Sequence, residues 1–218
     1  MTVGVVIIVA LAPTPNFCYE LGVAKIQTKF TDEKQMSLLG DSVFVSDTTR
    51  TIEWFGGVNY QNLEKVLGQF KELISENPDG EIQLLINSYG GQTGIGMSFY
   101  DSVKSVFKPN LLTIGSGDVD SSGVIVFLAG SKRYLTKNTT LLFHLAGRTF
   151  GTEKRFSTLD LENILKEDKL KDYQYACVVS DATDGRYTPE KVLEMMAHNT
   201  VLTAEEAVSM GLAHKVLE

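Results

Sequence analysis

The chain has 218 residues, of which 43% are hydrophobic and 22% charged, and a formal net charge of −7. That length supports one sizeable core, and the acidic balance argues against nucleic acid or an anionic membrane as the main partner, since both select a basic surface. Two cysteines, Cys18 and Cys177, lack metal-ligand spacing and are too few for a disulfide framework, so a reducing compartment such as the cytoplasm is the default.

Residues 1–45 are poorly patterned and read as an N-terminal arm or irregular lead-in. Their opening "MTVGVVIIVALAPTP" has no basic n-region and is too short to span a bilayer, which argues against export and against a membrane anchor. From residue 46 onward the rhythm is regular. "TIEWFGGV" predicts a strand closed by Gly56-Gly57. "YQNLEKVLGQFKELISEN" predicts a helix with Leu63, Val66, Leu67, Phe70 and Ile74 on one face, stopped by Asn77-Pro78-Asp79-Gly80. "EIQLLIN" reads as a buried strand, "SYGGQTG" as a glycine-rich turn and "IGMSFYDSVKSVF" as a helix ending before Pro109. "LLTIGSG" is a further strand, "GVIVFLAG" a further helix, and "KRYLTKNTTLLFHLA" predicts a hairpin about Lys137-Asn138. The charged stretch "ENILKEDKLKD" reads as a solvated helix face. Strand and helix in alternation imply an α/β fold with a largely parallel sheet, whose ligands sit where strand ends turn into helices.

One of those ends carries two adjacent serines, in "GDVDSSGVIVFLAG". A serine entering a helix can simply cap it, because its hydroxyl accepts from the free first-turn amides. Placed between a strand and an apolar helix, however, Ser121 also has a hydroxyl exposed on a tight turn, with the same amides able to stabilise an oxyanion. A serine nucleophile needs a base, and the chain has three histidines, His144, His198 and His214. His144, ending "TLLFH" 23 residues beyond Ser121, is the better candidate. Taken singly, "SYGGQTG" is a tight turn, His144 a strand-end histidine and Asn199 a helix C-cap; their joint occurrence favours a serine-hydrolase site.

Four blocks, "INSYGGQTGIGMSFYDSV", "GDVDSSGVIVFLAG", "NTTLLFH" and "LTAEEAVSMGLAHKVL", occur in the order and approximate spacing of the ClpP family, the proteolytic subunits of Clp serine proteases, which residues 50–218 resemble. The resemblance implies a ClpP/crotonase-like spiral of repeated strand-strand-helix units over residues 46–218. It implies Ser121 as nucleophile, His144 as base, and an oxyanion hole from the amides of Gly90 and Ser122. It also implies a polypeptide substrate, a homo-oligomer of stacked rings, heptameric by family habit, an AAA+ ATPase unfoldase or a ClpP paralogue as partner, and no metal or organic cofactor.

Three departures stand out. Asn199 falls where the family usually has an aspartate; its amide oxygen can accept the imidazole proton, but the charge that steadies an imidazolium is gone. Glu194 is the alternative third member if Asn199 is remote. Tyr89 replaces a common proline, and Leu145-Ala146 follow His144 where a polar residue and a proline are usual. The segment from Gly147 to Gly185 corresponds to a projecting strand and a long helix through which the family's rings meet. Three alternatives remain open: an inactive or regulatory ring subunit, a phage-type head-maturation protease, and a crotonase-type acyl-CoA enzyme.

Overall fold

A computed structural model describes residues 44, 46–151 and 155–218, of which Phe44–Glu218 form one compact unit. Apart from Phe44, the lead-in expected over residues 1–45 lies outside the described residues. Strand β1 (Thr51–Phe55) pairs in parallel with β2 (Ile82–Ser88), and β2 with β3 (Leu111–Val119). Next in the sheet come β4 (Lys132–Thr136) and the C-terminal β7 (Lys215–Leu217), both parallel. The central strands read as continuous apolar runs because both of their faces are covered.

Helix α1 (Tyr60–Glu76) buries Leu63, Val66 and Phe70, and Leu67 and Ile74 pack at the margin of the core, which is the predicted face. Asn59 starts it by accepting the Asn62 amide proton. Helix α2 (Thr93–Asp101) runs into π-helical turns over Ser102–Phe107 that end at Lys108, whose φ of 48° cannot continue a helix. The edge-on rings of Trp54, Phe99 and Phe70 fix α2 and α1 to the sheet, with centroids 5.2 and 5.8 Å apart. Helix α3 (Ser122–Leu128) is buried along its whole length.

The expected hairpin is not formed. The chain does turn at Lys137-Asn138, but β4 stays in the main sheet while β5 (Thr140–Leu142) leaves it. There β5 meets the far end of β3, with Asp118 opposite Thr140, and pairs antiparallel with β6 (Val201–Thr203). Two adjacent strands in sequence thus belong to different pairings, because the nine-residue β3 is long enough to serve both. Beyond Leu142 the described residues up to Ser157 contain no strand, so the projecting strand is not seen there. The long helix is: α4 (Thr158–Ala182) is followed by α5 (Pro189–Ala197) and α6 (Ala204–Met210). Among the described residues, no helix is long and apolar enough to cross a membrane.

Arg133 locks this arrangement. Buried on β4, its guanidinium donates to the carbonyls of Gly130 past α3, Ala182 at the end of α4, and Gly211 and Leu212 past α6, at 2.7–3.2 Å. Helix C-termini leave unsatisfied carbonyls with partial negative charge, and here three of them share one cation. Replacement of Arg133 by Met leaves those carbonyls without their donor and is expected to cost about 3 kcal/mol, read from urea unfolding. Lys at that position should recover little of the loss, since an ammonium lacks the planar fork that reaches several carbonyls.

Candidate active site

Ser121 occupies the N-cap position of α3, yet its hydroxyl makes no capping hydrogen bond. Its backbone lies at φ 52° and ψ −127°, a region that a residue with a Cβ enters only when surrounding structure holds it there. The holding groups are visible on both sides. The Ser121 amide donates to the Leu142 carbonyl, the Asp120 amide to the Ser88 carbonyl, and the Gly123 amide to the Asp120 carbonyl, each at 2.8 Å. Gly90, at φ 88°, lies so close that a Cβ built on it would be 2.6 Å from the Ser121 Cβ. Two segments far apart in sequence thus need a glycine at this point for the serine to keep its place.

The oxyanion-hole candidates differ in readiness. Ser122 is the first residue of α3, so its amide is one of the four without an intrahelical acceptor. The Gly90 amide donates to Ser88 Oγ at 3.2 Å, a bond it would have to exchange for an oxyanion. Ser122 Oγ itself is buried without a hydrogen-bond partner.

His144 lies two residues past Leu142, whose carbonyl holds Ser121, so the two candidate residues share one corner of the fold. The Phe143 amide donates to the Thr200 carbonyl at 2.8 Å, which brings Asn199 to the same corner. Among the described residues, no hydrogen bond joins Ser121 to the imidazole or the imidazole to Asn199. Instead Nδ1 of His144 lies 2.7 Å from the Leu145 carbonyl oxygen. A carbonyl only accepts, so Nδ1 carries a proton and Nε2 is the nitrogen available as base.

Asn199 has a backbone role of its own. At φ 50° it is the left-handed residue that ends α5: its amide reaches the Met196 carbonyl and the Thr200 amide the Met195 carbonyl, the paired bonds of a Schellman motif. It therefore lies one residue beyond the cap itself, which is His198. Glu194 is an unsuitable substitute, because its carboxylate pairs with Lys191 at 2.8 Å on the exposed face of α5. The other histidines are engaged: His198 Nδ1 bonds the Glu194 carbonyl, and His214 Nδ1 accepts the Arg133 amide proton.

Two carboxylates that sequence reasoning passed over flank His144. Asp120 accepts from the Leu142 amide at 3.0 Å and Asp172 of α4 from the Ala146 amide at 2.8 Å. Burial, then repulsion by Asp118, holds the Asp120 carboxyl above its ordinary range, against the pull of the Leu142 amide and His144. Nothing local in the sequence marks Asp172, which closes the stretch "ENILKEDKLKD" that reads as a solvated helix face. Among the described residues, no three His, Cys, Asp or Glu side chains gather as a metal site.

The Clp protease family profile matches residues 40–218. The chain belongs to that family. It is 30% identical over 165 residues to the ATP-dependent Clp protease proteolytic subunit 2 of Pseudomonas aeruginosa, covering 74% of this chain and 78% of that one. Its structure resembles an asparagine-to-aspartate mutant of ClpP1 from Listeria monocytogenes, with a TM-score of 0.68 at 26% identity, covering 78% of this chain and 92% of that one. This Clp-type protease subunit is accordingly a serine peptidase with a ClpP-like α/β fold.

The raised Asp120 carboxyl has a consequence for stability. The folded chain holds that proton more tightly than the unfolded chain, so the group favours folding in acid and that contribution is lost as pH rises through the raised value. Asp120→Asn, which keeps an acceptor for Leu142, should therefore unfold at higher urea concentration than the parent at pH 7. The advantage should vanish below the ordinary carboxyl value of 3.8.

Proposed function

We propose that Ser121, His144 and Asn199 form the catalytic group of this peptidase, with the Gly90 and Ser122 amides as its oxyanion hole. The observation that carries this reading is the uncapped Ser121 hydroxyl on a strained turn, packed against Gly90. His144 Nε2 takes the hydroxyl proton as Oγ attacks the peptide carbonyl. The C–N bond then breaks, the imidazolium gives its proton to the leaving amine, and a water deprotonated by His144 hydrolyses the acyl-enzyme. For the first step the imidazole must bring Nε2 to the hydroxyl.

An extended peptide fits beside Gly91. Val58 occupies one side of this segment, taking the Gly90 carbonyl and Gln92 amide at 2.8 Å, and the other side is left for substrate main chain. Next to it lies a cleft of about 340 Å³ lined by Gly91, Thr93, Ile95, Ala146, Arg148 and Lys171. Main-chain pairing gives little sequence selection, which suits unfolded polypeptide. In keeping with the family, the subunit works in stacked rings in the cytoplasm, fed by an AAA+ unfoldase or joined by a paralogue. The exposed Leu159, Leu161, Leu165 and Leu170 of α4 favour burial against a second copy. Asn199 and the unmade Ser121–His144 bond favour a site that is slow until assembly.

A fluorophosphonate probe should label the assembled protein once per chain at Ser121, and Ser121→Ala should remove both labelling and peptide hydrolysis; intact turnover in that variant would refute the assignment. Asn199→Asp, which tolerates the same left-handed backbone, should raise kcat/KM at least about tenfold at neutral pH.

A further inference from the structure

His144 is held by α4 from both sides. Phe143, before it, stacks edge-on against the buried Tyr175 ring, with centroids 6.1 Å apart, and Ala146, after it, donates its amide to Asp172 Oδ1 at 2.8 Å. Tyr175 and Asp172 are three residues apart, one above the other on the same helical face. Between these anchors the imidazole Nδ1–H donates to the Leu145 carbonyl at 2.7 Å. The carbonyl of Leu145 and the amide of Ala146 are the two ends of a single planar peptide group. The hydrogen bonds therefore form a continuous line from imidazole through one peptide group to a carboxylate.

We propose that Asp172 is a positioning residue for His144, acting through the Leu145–Ala146 peptide to supply the negative charge that Asn199 lacks. A carboxylate on the amide end draws electron density toward the carbonyl end, making the Leu145 oxygen a better acceptor for an imidazole that is gaining charge. The line also holds the proton on Nδ1, the tautomer a general base needs. Burial, with Asp168, holds the Asp172 carboxyl above its ordinary value, against the pull of the Ala146 amide and His144. Asp120 is not equivalent. It binds the amide of the Leu141–Leu142 peptide, whose carbonyl end is a different group from the one that holds Ser121.

The charged groups around this line are Asp118 and Asp120 from the β3 end, and Asp168 and Lys171 on α4. Arg148 also approaches, but its guanidinium is bonded to Glu167 and Asp168 at 2.7–2.8 Å. The inference rests on His144 being the base, and its test separates the two ideas. In catalytically silent Ser121→Ala protein, proton NMR of the His144 Nδ1–H should show an upfield shift on adding Asp172→Asn, whose Oδ1 can still accept from Ala146. With Ser121 intact, Asp172→Asn should lower kcat/KM about tenfold at unchanged KM and move the acidic limb of its pH profile to lower pH, one pK unit being a tenfold effect.

Ala146→Pro, which deletes the donating amide, should cause the same loss. Asn199→Asp should improve the Asp172→Asn protein by a larger factor than it improves the parent. An unmoved resonance and an unmoved pH limb in Asp172→Asn overturn the proposal, even if turnover falls. Retained hydrolysis in Ser121→Ala would instead refute the serine assignment and leave the resonance to decide the role of Asp172.

Discussion

A left-handed turn at a residue that is not glycine governs this subunit. Holding Ser121 at φ 52° costs on the order of 1–3 kcal/mol, which neighbouring contacts must offset. Three backbone hydrogen bonds do so, reaching Ser88 on β2, Leu142 on β5 and Asp120 within the turn. The outcome is a hydroxyl that is turned away from its own helix although it sits where a cap would. Gly90 and Gly123 follow from the same constraint: a Cβ on the first would strike Ser121, and one on the second would come within 3.0 Å of Ser88.

The carboxyl-terminal third of the chain holds the other half of the candidate site. Helix α4 grips the strand around His144 at Phe143 and Ala146, and α5 ends in the turn that sets Asn199 beside it. Asn199 is thus a helix terminator as well as a candidate site residue. Asparagine is among the few side chains that enter the left-handed region readily, and so is aspartate. The backbone does not explain the choice between them. Arg133 ties the ends of α3, α4 and α6 together behind this arrangement, so the two halves cannot drift independently.

How far the sequence could be read followed the range of the interactions concerned. Local patterns announced α1, β2, α3 and the stop at Asn77-Pro78, because periodicity and turn chemistry act over a few residues. Ser121 was legible as a candidate from its place between a strand and an apolar helix, and His144 because the chain has only three histidines. The hairpin about Lys137-Asn138 was misread: a turn signal says that the chain reverses, while the partner of each strand depends on β3 and β6, remote in sequence. Asp172 was hidden for the same reason. It sits in a run of alternating charge, and nothing within ten residues distinguishes it from its solvated neighbours.

Residue order alone determined the α/β class, the amphipathic faces and the glycine-rich turns, and it made Ser121 and His144 candidates, since each depends on side-chain type and place in a local pattern. Tertiary structure decided whether Ser121 caps or stands free, which atoms the imidazole of His144 meets, and which carboxylates lie near it. Those outcomes depend on hydrogen bonds between β3, β5 and α4, segments that approach one another only after the core has closed.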